Sequence, residues 1–151
     1  MSDPIELLDF WSRHPGRDDE TLVARHWPAL CRMLDRFDKD RGGDGLIRSH
    51  PGRRLFLDWS PMDRTEPNLT YNLRYLHALR LATGLGTTLG SAQTVVLSDR
   101  AACLSAAIRA TLLEPVGWSE SPQGALASQL ALSFLILTGI VPPAKAEALA
   151  D

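Results

Sequence analysis

Along residues 22–37 the side chains sort by helical period. Leu22, Val23, His26, Trp27, Leu30, Met33, Leu34 and Phe37 share an arc of about 140°, with Arg25, Arg32, Asp35, Arg36 and Lys39 turned away. The pattern predicts an amphipathic helix, ended by Gly42, Gly43 and Gly45. Pro28 lacks a backbone N–H and crowds the preceding turn, so a kink near residues 24–27, or two helices meeting there, is expected. Upstream, Asp3 and Pro4 can open a short helix carrying Leu7, Leu8, Phe10 and Trp11, which His14-Pro15-Gly16 closes.

The period changes at 46–59. Leu55, Leu57 and Trp59 alternate with Phe56 and Asp58, and Pro51-Gly52 supplies a turn, which together predict a small β-hairpin. After Pro61, a helix from Pro67 to about residue 82 places Leu69, Leu73 and Leu76 on one side and Tyr71, Tyr75, Ala78 and Ala82 on another. Two apolar faces imply packing on both sides. Gly84, Gly86 and Gly90 suggest a flexible passage, and residues 93–97 are either a short strand or the lead-in to a helix. Ser98 is a candidate cap for an Ala-rich helix over 98–114.

From 121 to 144 no residue is charged, and a last helix at about 122–138 has no continuous polar stripe. Such a helix belongs at the centre of a fold or in an interface. A membrane span of 121–144 is the alternative, since about 20 apolar residues suffice. Gln123, Ser128, Gln129, Ser133 and Thr138 dilute the stretch and Pro142-Pro143 closes it, which favours the buried or interfacial reading.

These elements predict a mainly α single-domain bundle of about five helices with a hairpin near 46–59. Its parts are acidic N-terminal helices (3–41), a basic hairpin and linker (42–66), C-terminal helices (67–141) and a tail (142–151). With 151 residues, 44% of them hydrophobic and 23% charged, the chain is sized for one globular core. The net charge of −2 conceals a division. Residues 1–45 carry seven basic groups against ten acidic, 46–90 six against three, and 91–151 three against five. No whole-chain attraction to nucleic acid follows, because that requires a clustered basic face. Two cysteines, Cys31 and Cys103, and an N-terminus with neither a basic nor an apolar signal region point to a cytoplasmic protein with reduced thiols. Fourteen Arg against two Lys, among abundant Ala and Leu, suggest a GC-rich bacterial source.

Candidate chemistry is sparse. His-Pro-Gly-Arg occurs at 14–17 and again at 50–53, and Arg17, Arg48, Arg53 and Arg54 are anion-binding candidates should the two turns meet. The same basic run beside Phe56 and Trp59 is what a nucleic-acid surface would need, although a solvated hairpin accounts for it more simply. Acid–base candidates are His50, Asp58 and His77, with Asp63, Tyr71 and Tyr75 nearby, if the hairpin and the 67–82 helix form a cleft. No pair of His or Cys has metal-ligand spacing, no serine elbow or phosphate loop is present, and no cofactor is expected.

The reading that follows is a non-catalytic accessory protein that binds another protein and itself. Leu130, Phe134 and Leu137 are its interface candidates. The alternative is a small helical enzyme or ligand-binding protein with a pocket between residues 48–59 and the 67–82 helix. A nucleic-acid binder comes third and a membrane-anchored protein last.

Overall fold

The computed structural model describes residues 20–50, 52, 55, 57, 61–113, 119–122 and 127–141. The helix expected at 3–13 and the first His-Pro-Gly-Arg turn lie outside them. Four α-helices are present among the described residues: α1 (Glu20–Asp38), α2 (Leu69–Thr88), α3 (Gln93–Ile108) and α4 (Gln129–Leu137). The mainly α bundle is therefore what forms. No strand occurs among the described residues; the expected hairpin region contributes one antiparallel bridge, Arg41 to Ile47, and residues 51, 53, 54, 56, 58 and 59 lie outside the description.

The first helix runs through Pro28 without dividing. Trp27 and Leu34 are buried, and Leu30 and Phe37 pack against the core, as the stripe predicts; Cys31, just outside the predicted arc, packs there too. His26 and Leu22 are exposed, because the buried arc is narrower than the apolar one. The Trp27 indole crosses to the far end of α2, where its Nε1 donates to Ser91 Oγ at 2.8 Å. Tyr75 Oη donates to the Leu34 carbonyl at 2.9 Å, and its ring stacks on Phe37 with centroids 5.6 Å apart. Burial pushes the Tyr75 hydroxyl far above its ordinary pKa, so it stays a donor.

The centre of the bundle is α2. Eleven of its residues are buried, including Leu69, Leu73, Tyr75, Leu76, Ala78, Leu79 and Ala82, and it packs against both α3 and α4. At about 1.5–3 kcal/mol for each fully buried large aliphatic side chain, this helix supplies a large share of the hydrophobic stabilisation. It extends six residues past the expected end and takes in Gly84 and Gly86. The physical reason lies at Gly86, where an added Cβ would stand 3.0 Å from the Trp27 ring and 2.6 Å from Thr94 Oγ1. This glycine is a notch for tryptophan within a helix, and the chain turns only at Gly90, where φ is +62°.

Residues 93–97 are helical, so Ser98 lies in the body of α3 and is not its cap. Ser91 sets the start instead: its carbonyl accepts from the Thr94 N–H and hydroxyl, and its Oγ from the Gln93 N–H. Leu97, Ala101, Leu104 and Ile108 then recur at steps of three and four and are buried, and this spacing overrides the strand preference of Val95-Val96. The helix widens to a π turn over Arg109–Leu113. The last helix is nine residues, far shorter than the 122–138 expected, because Ser128 caps it by accepting from the Ala131 N–H. It buries Ala131 and Leu135 and lies at the side of α2; of the two places expected for it, centre or interface, the centre belongs to α2.

Candidate functional site

The densest polar cluster surrounds the N-terminus of α2. Asn68 caps the helix, its Oδ1 accepting from the Tyr71 N–H at 2.9 Å, and no acidic residue occupies the first turn. Glu120 comes from the other end of the sequence to take that place. Only 2% exposed, its carboxylate accepts from the Thr70 N–H, from the Thr70 hydroxyl and from the Ser128 N–H, while its carbonyl accepts from the Leu69 N–H at 2.7 Å. A carboxylate at a helix N-terminus satisfies orphan donors and meets the positive end of the dipole. Here one side chain does so for the start of α2 and for the cap of α4.

Beside it, Asp63 Oδ1 accepts from the Thr65 N–H at 2.8 Å and Oδ2 from the Ser121 hydroxyl at 2.9 Å. These bonds, the Thr65 N–H foremost, hold the Asp63 carboxyl below the usual carboxylate range. Such carboxylates are occupied as acceptors, and the arrangement anchors three chain segments. The loop before α2 is tied the same way, with the Ser49 N–H donating to Glu66 Oε1 at 2.6 Å.

The residues singled out from sequence fall in different places. His50 is exposed on the loop after the Arg41–Ile47 bridge, whereas His77 is buried on α2, edge-on to Phe134 with centroids 5.6 Å apart. Asp58, Arg17, Arg53 and Arg54 lie outside the described residues. Arg48 forms a two-pronged ion pair with Asp44, at 2.6 and 2.9 Å, which holds the Asp44 carboxyl low and the guanidinium high. Gly42 leaves room for this guanidinium, since a Cβ there would collide with it. No group of three or more His, Cys, Asp or Glu among the described residues is placed to hold a metal ion. Cys31 and Cys103 are free thiols; the first is half-buried, with burial and then Asp35 raising its pKa, and the second is exposed.

The other notable feature is the outer side of α4. Gln129, Ser133, Ile136 and Leu137 face solvent, with Ile136 46% and Leu137 62% exposed. Leu130 and Phe134 are half-buried, Phe134 against the core. Among the described residues no helix is long and apolar enough to cross a membrane. At 1.5 Å per residue α4 spans about 14 Å, roughly half a hydrocarbon core.

The chain matches no protein-family model and no curated protein.

Two features of the site went unread in the sequence. Glu120 abuts the uncharged 121–144 stretch, and an acid beside a segment that must be buried needs donors from elsewhere. Arg80 and Arg109 have no acidic residue three or four positions away on either side, so helix neighbours cannot pair them.

Proposed function

We propose that this protein is a helical interaction module that binds a second copy of itself through the outer side of α4. The observation that carries this reading is the exposure of Ile136 and Leu137 side by side on a helix with no charged residue. An uncharged apolar ridge docks most favourably on another of its kind. A two-fold axis presents the same ridge from both copies, and that is the commonest symmetry of small oligomers. A non-catalytic role is supported by how the polar groups of the α2 N-terminal cluster are used: the carboxylates of Glu120 and Asp63 serve as acceptors for backbone N–H and hydroxyl groups of their own chain. Binding of a further protein partner and a bacterial cytoplasmic setting complete the proposal.

Size-exclusion chromatography with light scattering tests it on the full chain. The expected result is a dimer that Leu137→Arg converts to a folded monomer with an unchanged circular-dichroism spectrum, since Leu137 is mostly outside the core, and with a melting temperature lowered only by the lost association. A wild-type monomer at the highest soluble concentration, or a dimer indifferent to Leu137→Arg and to Ile136→Arg, would overturn it.

A further inference from the structure

We propose that the groove between α2 and α3 binds a phosphate group, with Arg80 as its principal ligand and Ser98 in support. The groove is open, has a volume of about 270 Å³, and is lined by Arg80 and Thr83 from α2 and by Ser98, Ala101 and Ala102 from α3. That volume lies just below the usual range for small-molecule sites and suits a phosphate carried on a small body.

Among the described residues the charge at this place lacks the ion pairs that Arg41, Arg48 and Arg100 have. Arg41 pairs with Asp38, Arg48 with Asp44, and Arg100 with Asp35 at 2.6 Å. Among the described residues Arg80 makes no hydrogen bond and no ion pair, although it is exposed enough for a ligand to reach. Partial burial, and then the neighbouring Arg109, pull the Arg80 pKa below the ordinary arginine value. A partly buried guanidinium lining a groove, with a like charge in its neighbourhood, is what an anion relieves.

The competing explanation is that Arg80 serves the C-terminal end of α4, which it approaches near Gly139. That role is already filled, because the Arg109 guanidinium donates to the Ile140 carbonyl just beyond the helix. Among the described residues none accepts from Arg80. The Ser98 hydroxyl likewise has no partner among the described residues, so it can donate to an oxyanion from the opposite wall. Thr83 gives its proton to the Leu79 carbonyl at 2.8 Å and offers a ligand only a lone pair, to which a hydroxyl on the body carrying the phosphate would donate. A forked guanidinium on one wall and a hydroxyl on the other can each donate to different oxygens of a tetrahedral phosphate, and this favours phosphate over a planar carboxylate with only two oxygens. The site is separate from the α4 ridge and does not depend on self-association.

The test is an NMR titration of the full chain with inorganic phosphate at constant ionic strength, with acetate as the comparison. Saturable shifts confined to the Thr83, Ser98, Ala101 and Ala102 signals are expected. Arg80→Gln should weaken binding by about tenfold or more, the loss typical of one charged hydrogen-bonding partner, and leave the melting temperature in place. Ser98→Ala should weaken it by a smaller factor, and Arg25→Gln, an exposed arginine on α1, should change nothing. Shifts that fail to saturate, affinity that survives Arg80→Gln, or acetate bound as tightly as phosphate would each overturn the proposal.

Discussion

The side-chain amide of Asn72 grips the peptide of Ile47 from both sides. Its Oδ1 accepts from the Ile47 N–H at 2.8 Å, and its Nδ2 donates to the Ile47 carbonyl at 3.1 Å while also donating to the Asn68 carbonyl at 2.8 Å. A buried side chain thus takes the part of a neighbouring strand. It seats the 46–47 segment, whose two side chains are fully buried, against the central helix.

Replacing Asn72 with leucine keeps the branched shape and the number of heavy atoms and strands the Ile47 N–H and carbonyl in the core. With an unsatisfied buried group costing about 1–3 kcal/mol, the variant should lose roughly 2–4 kcal/mol. Urea unfolding followed by circular dichroism measures it. A loss within experimental error would mean that solvent reaches Ile47 and that the clamp is not required.

At Gly86 two general effects oppose each other. Alanine gains about 1 kcal/mol of helix propensity over glycine, yet overpacking a filled core costs about 1–3 kcal/mol. Both neighbours are held, the Thr94 hydroxyl by its bond to the Ser91 carbonyl and the Trp27 ring by its bond to Ser91 Oγ, so the clash should prevail. Gly86→Ala is expected to lower the melting temperature of the parent chain and to raise that of a Trp27→Leu variant. A stabilised single variant would show that the indole moves freely.

Glu120→Ala removes the acceptor for two backbone N–H groups and one hydroxyl at once. The expected loss is about 3–5 kcal/mol, comparable with breaking a buried charged network. Glu120→Gln retains one carbonyl oxygen and should lose less. Hydrogen exchange should quicken first at Thr70 and Ser128; equal rates in Glu120→Ala and the parent chain would reject the staple.

Acidification should destabilise the fold through Asp44 and Asp63. Their folded pKa values lie below the ordinary 3.8, so the unfolded chain binds protons more readily than the folded one. The stability they contribute is complete above that ordinary value and is lost as pH falls through the lower folded values. Denaturation profiles taken between about pH 5 and pH 2 should show the decline, with a shallower slope in Asp63→Asn. A slope identical in the variant would assign the acid sensitivity to other groups.

Chain periodicity alone determined that the protein is a helical bundle, that Trp27, Leu34 and Phe37 form the inner side of α1, and that α2 is packed on two faces. These follow from residues whose burial depends on neighbours three and four positions away, which a linear pattern records. Only the tertiary structure decided which helix is central, where α3 begins, why α2 continues through Gly84 and Gly86, and how Glu120 reaches Thr70 across fifty positions. Residues 121–144 contain enough apolar side chains for a central helix, but Ser128 caps α4 late and α2 already fills the core, leaving Leu137 outside. Polar contacts such as Glu120 with Thr70 and Ser128, or Asn72 with Ile47, are set by distance in space, and nothing in local composition encodes that distance.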